Sequence, residues 1–250
     1  MRKNLHGRFD FILLVFSLFL ILSAVTRTIL LIKSIDMLDI SPIELIQIYL
    51  VGAFFDFAAA SYLVIPFIIY LLLIPQKFFG HIIHKYITFT FLYLLLFALV
   101  FYSFSEWFFW DEFGVRFNFI AVDYLVYTTE VIGNIKESFP IGILISIIAI
   151  IAAVFFYVIY KLGYIDNILK DEKGFRLRLK PAVFYMMLPT IFSIGVSQDL
   201  INISQNQYIN ELGKSGLYSL FAAFRNNSLD YDSFYRSEEH TSELQSRQSI

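Results

Sequence analysis

Residues 11–32 read FILLVFSLFLILSAVTRTILLI, an apolar run in which Arg27 is the only ionisable group. Rising about 1.5 Å per residue as a helix, such a run covers about 30 Å, the thickness of a bilayer's hydrocarbon layer. It is too long, and lacks the small-residue cleavage site, for a removable signal peptide. It is therefore expected to stay in the chain as an anchor.

Four more stretches of this kind follow, at 43–74, 87–104, 141–160 and 181–196. The 250-residue chain is 58% hydrophobic and 19% aromatic, with a mean hydropathy of +0.68. Its 16% charged residues compare with about 25% in an ordinary soluble domain. One core of this size has no room for so much apolar surface, so lipid must solvate it. The expected fold is all-α and membrane-embedded: five transmembrane helices, plus an amphipathic interfacial helix in the loop between the third and fourth. The formal charge of −2 points to no nucleic-acid partner, and the absence of cysteine removes disulfides and thiolate chemistry.

The 43–74 stretch is overlong for one crossing. Ser41-Pro42-Ile43-Glu44 is a helix start signal, with Ser as N-cap, Pro in the first turn and Glu three residues after the cap. A tilt, a kink at Pro66 or a start along the interface accommodates the length. Two crossings turning at Pro66 are the alternative; without a charge at that turn, one is expected.

Lys and Arg set the orientation. One set of connections holds Arg2, Lys3, Arg8, Lys77, Lys85, Lys161, Lys170, Lys173, Arg176, Arg178 and Lys180; the opposite set holds Lys33, Arg116, Lys136, Lys214 and Arg225. Eleven against five puts the N-terminus in the cytoplasm and everything after the fifth span outside.

The outer loop, 105–140, is too long for a simple turn. It opens with Trp107 and Trp110, residues at home at a membrane–water boundary. Arg116, Asp123, Glu130 and Glu137 then recur at seven-residue intervals, with Asn134 on the same side. On a helix this spacing gives one polar stripe, drifting about 20° per heptad, over an otherwise apolar surface that would lie on the bilayer. Either the helix simply packs over the bundle, or the stripe with Asn118 faces a lipid headgroup or a docked outer domain.

Two ionisable residues fall inside spans. Arg27, near the outer end of the first, has the choice of snorkelling to the interface or pairing with Asp56. Asp56 asks for that partner or for a water-filled cavity. His6, His81 and His84 fall in the inner flanks and read as ordinary interfacial residues, since no third metal ligand is near the 81/84 pair. No phosphate-cradling glycine loop, nucleophile elbow or internal repeat is present. Asn202-Ile203-Ser204 and Asn226-Asn227-Ser228 match the glycosylation pattern, which is common by chance.

Residues 1–196 thus read as a transmembrane domain and 197–235 as an extracytoplasmic juxtamembrane segment with an amphipathic helix around 217–224. Residues 236–247, RSEEHTSELQSR, match nothing in the preceding composition. The tail 236–250 resembles translated adapter sequence, and the natural chain is expected to continue past Tyr235.

Three pieces, EFGVRFNFIAVDY at 112–124, YTTEVIGNI at 127–135 and YSLFAAFRNNS at 218–228, together with five spans and an outward C-terminus, resemble the membrane half of lipoteichoic-acid-synthase-like proteins. These are sulfatase-superfamily phosphoglycerol transferases, and the Gram-negative type is most similar. The resemblance implies a bacterial cytoplasmic-membrane protein acting on phospholipid headgroups, through an extracytoplasmic domain with a Thr nucleophile and a divalent Mn, Mg or Zn ion. None of those catalytic or metal residues maps onto this chain, for which no cofactor of its own is expected. Its expected partners are membrane phospholipid and its own catalytic domain. A phosphoethanolamine transferase or sulfatase of the same superfamily, and a freestanding transporter or scaffold, are the alternatives.

Overall fold

The computed structural model describes residues 7–79, 81–126, 133, 135–169, 174–195 and 201–227, and no strand occurs among them. A 3-10 turn at Gly7–Phe9 leads into α1 (Asp10–Ser34); α2 (Pro42–Leu63) and α3 (Ile65–Leu73) follow, then α4 (Ile82–Phe113) and the short α5 (Phe119–Val126). The chain continues through α6 (Ile141–Lys161), α7 (Tyr164–Ile168), α8 (Phe175–Gly195), α9 (Gln207–Gly213) and α10 (Gly216–Asn227).

Four helical stretches are long and apolar enough to cross a membrane: Gly7–Ser34, Pro42–Leu73, Ile82–Phe113 and Ile141–Lys161. Their outer surfaces carry large exposed side chains such as Ile21, Leu50, Leu94 and Ile150, a surface that water would not tolerate over this area. The chain is a multi-pass membrane protein by this measure.

The second stretch is one rod with a break. The Ser41–Glu44 capping box forms, with the Ser41 hydroxyl accepting from Glu44 N–H and the Glu44 carboxylate accepting from Ser41 N–H. Pro66 has no N–H for the Tyr62 carbonyl. Val64 N–H turns to that carbonyl while still reaching Ala60 O, and α3 resumes one residue later.

α1 packs on α2 and α4, and α4 in turn carries α6. The main core runs between them through Ile12, Val15, Phe19, Val64, Ile68, Leu92, Leu96 and Ala152. Small residues at Ala58, Ala59 and Ala60 let α2 lie close to its neighbours. α8 packs against α2 and α3; it begins at Phe175, so Pro181 lies inside the helix rather than at its start. α9 and α10 fold back onto α2, and α10 also meets α5.

α4 is longer at both ends than its 87–104 apolar run. Trp107 and Trp110 belong to this helix and not to the loop after it: Trp110 is buried with Leu30, Ile48 and Leu212, and its indole N–H donates to Ser34 Oγ at 3.1 Å. The helix stops only at Gly114, whose φ of 67° places it in the left-handed region that glycine tolerates, with its N–H on Trp110 O.

Candidate functional site

The Gly114 turn rearranges the expected polar stripe. Arg116 lies in the non-helical stretch before α5, so it and Asp123 do not share one helix face. Asn118 is spent locally, its Oδ1 accepting from Ile120 N–H at 2.9 Å as α5 begins. Asp123 and Glu137 are exposed, whereas Glu130 and Asn134 lie outside the described residues. α5 buries Ala121 and Val122 but leaves Phe119 exposed.

Arg116 instead points inward and is fully buried. Its Nε lies 2.6 Å from Oε1 of Glu106, a carboxylate that is also fully buried, on α4. Its backbone N–H donates to Glu211 Oε2 at 3.1 Å, and Nη1 donates to the Lys214 carbonyl. Burial works against the charge on Arg116, but Glu106, with Tyr102 and Asp56 behind it, outweighs burial and holds the guanidinium above its usual pKa.

Arg27 does not snorkel. It is 1% exposed, and its Nη1 sits 2.8 Å from Asp56 Oδ2. Its Nε donates to Leu212 O and its Nη2 to Lys214 O, each at 3.0 Å. Gly52, one turn before Asp56 on α2, makes room: a Cβ there would lie 2.2 Å from Arg27 Cζ. Both arginines therefore grip the same Lys214 carbonyl. Two guanidiniums against two carboxylates leave the cluster balanced in charge, as burial requires.

The cluster lies about two turns inside the C-terminal ends of α1 and α4, against Asp56 in the second half of α2, and it holds the segment between α9 and α10. Tyr102 completes it, accepting from Leu217 N–H at 2.9 Å and thereby satisfying a free donor in the first turn of α10. Nearby, Ser204 Oγ donates to Glu44 Oε1 at 2.7 Å, tying the same returning segment to the start of α2. Asp56 Oδ1, Glu106 Oε2 and Arg116 Nη2 have no hydrogen-bond partner among the described residues. The arrangement can fix a backbone segment firmly, and among the described residues no group of three His, Asp or Glu stands close enough to hold a metal ion.

The sequence did not single out Glu106, Tyr102 or Glu211. The available signal was a lone carboxylate, Glu106, one turn after Tyr102 within the aromatic run FYSFSEWFFW at 101–110; a charge so placed needs a buried partner.

The far end of the bundle has its own cationic lock. Arg8 donates to Leu71 O at 3.3 Å and Ile74 O at 3.2 Å, and Arg178 donates to Leu72 O at 3.1 Å and Ile74 O at 2.7 Å. Two guanidiniums thus cap the carbonyl end of α3, where cations are favoured.

Comparison with protein-family models, curated proteins and solved structures finds no match to this chain.

Proposed function

We propose that this chain is the membrane module of a lipoteichoic-acid-synthase-like phosphoglycerol transferase, of the Gram-negative type. In this reading α8 is the fifth span, α5 lies in the outer interface, and the module sits in the bacterial cytoplasmic membrane. The N-terminus is cytoplasmic and the 201–227 segment extracytoplasmic. The module's task is to hold a following catalytic domain at a set height and angle over phospholipid headgroups. That domain would supply the nucleophile and a divalent ion to polarise the phosphoryl group.

The observation that carries this reading is the double grip of Arg27 and Arg116 on the Lys214 carbonyl. A segment that merely trailed from the last helix would have no use for two buried guanidiniums. One that transmits position to a domain beyond it does, because transferring a headgroup demands placement to within about an ångström. The motif residues at 112–124 supply one of the two arginines, which links the family resemblance to the clamp.

The test begins with the source gene, read past the codon for Tyr235. The reading expects an open frame encoding an α/β domain with a Thr nucleophile and acidic metal ligands. The full-length protein in phosphatidylglycerol vesicles should then release diacylglycerol only when a divalent ion is supplied. A stop codon shortly after Tyr235, or a continuation with neither feature, overturns it.

A further inference from the structure

At the end of the bundle where α3 finishes and α4 begins lies a cavity of about 310 Å³, at the small end of the range for ligand pockets. Its lining includes Phe67, Tyr70, His84, Ile87, Thr88 and Phe91. Tyr70, Ile87 and Phe91 are also 42%, 42% and 57% exposed, so the cavity opens sideways between α3 and α4, onto a flank that faces lipid.

His84 is the anomaly in this apolar space. It is 4% exposed, and neither ring nitrogen has a hydrogen-bond partner among the described residues. The Tyr70 ring lies parallel to it at 6.0 Å, and the Phe79 ring is tilted against it at 4.8 Å. The Thr88 hydroxyl is already committed to the His84 carbonyl. A buried imidazole without a partner is destabilising, and a ligand offering one acceptor would satisfy its N–H and lower that cost. Arg8, stacked over Phe79 at 3.7 Å, adds positive potential that favours an electron-rich group there.

We propose that this cavity takes an acyl chain of a membrane glycerophospholipid, entering between α3 and α4, with the ester carbonyl accepting a hydrogen bond from His84. The sideways mouth selects an occupant already dissolved in the bilayer. The aromatic lining selects a chain, and the single imidazole selects a neutral acceptor over a phosphate, which would need fuller replacement of its hydration. The site stands apart from the charge cluster and needs only that the bundle lie in a bilayer, so it does not depend on the transferase reading.

The test uses the whole chain in phosphatidylethanolamine/phosphatidylglycerol vesicles doped with a phosphatidylcholine carrying a diazirine near the ester end of one chain. After photolysis, adducts should concentrate on Tyr70, Ile87 and Phe91, well above Ile150 and Val154, which face lipid on α6. Thr88→Phe, which fills the cavity, should bring the yield down to the α6 level. His84→Leu should lower it by about fivefold, the affinity worth of one ordinary hydrogen bond. Uniform labelling of the unmodified protein overturns the proposal, whether or not the variants fold. So does undiminished labelling in His84→Leu, or a non-lipid molecule found there by native mass spectrometry.

Discussion

A Cβ placed on Gly216 would stand 2.0 Å from Oε1 of Glu106 and 2.9 Å from the Tyr102 hydroxyl. The first residue of α10 thus rests directly on the carboxylate that pairs with Arg116. Gly216→Ala has no free space to enter, because the carboxylate is held on its other side. We expect a loss of about 1–3 kcal/mol, typical of overpacking, read as a lower melting temperature in detergent and faster proteolysis within 201–227. An alanine variant as stable as the parent would show that α10 docks more loosely than described.

Glu106 and Arg116 are both fully buried, so removing either strands the other. Arg116→Met and Glu106→Leu should each destabilise by about 3–5 kcal/mol, and the double variant by clearly less than their sum. A double-mutant cycle from chemical unfolding in micelles measures this coupling. Simple additivity would mean that the pair does not act as a unit.

Arg27 serves three acceptors, Asp56 Oδ2 and the carbonyls of Leu212 and Lys214. Lysine keeps the charge but presents a compact ammonium in place of a planar fork. Arg27→Lys should keep the Asp56 pair and lose the carbonyls, destabilising by about 1–3 kcal/mol. Hydrogen exchange should quicken around 212–217 while α1 and α2 stay protected.

At the opposite end, Arg178 holds Leu72 O and Ile74 O. Arg178→Ala should fray the last turn of α3 and weaken its hold on α8, again by about 1–3 kcal/mol. Faster exchange at 70–76 with unchanged exchange in α9 is the expected pattern. Equal change at both ends would point to global loosening instead.

The absence of cysteine makes topology directly testable. With a single cysteine at exposed Asp123 or exposed Lys77, a membrane-impermeant maleimide applied to intact cells should label D123C and spare K77C. The reverse pattern would invert the orientation drawn from the Lys/Arg bias.

The long helices were readable because lipid imposes a plain rule: enough uninterrupted apolar residues to cross it. The capping box at Ser41–Glu44 was readable too, since its partners lie three residues apart. The reach of α4 was not, because Glu106 and Trp107 look like loop residues until α1 and α9 bury that end. The heptad spacing misplaced Arg116, since periodicity counts residues and ignores the non-helical stretch that separates Arg116 from the start of α5 at Phe119. The clamp was invisible for another reason. Two of its acceptors are main-chain carbonyls, which every residue possesses, and they lie 185 and 187 residues from Arg27.

That last separation governs how the molecule is made. Arg27 leaves the ribosome with Asp56 close behind, yet the carbonyls that complete its shell emerge only after some 185 further residues, roughly 10–40 s later at ordinary translation rates. During that interval the Arg27–Asp56 pair must carry its hydration debt alone in a growing bundle. The Arg27–Lys214 lock therefore closes only once synthesis has passed Lys214. A chain that stops short of Leu212 has Asp56 as the one remaining partner for Arg27 among the described residues.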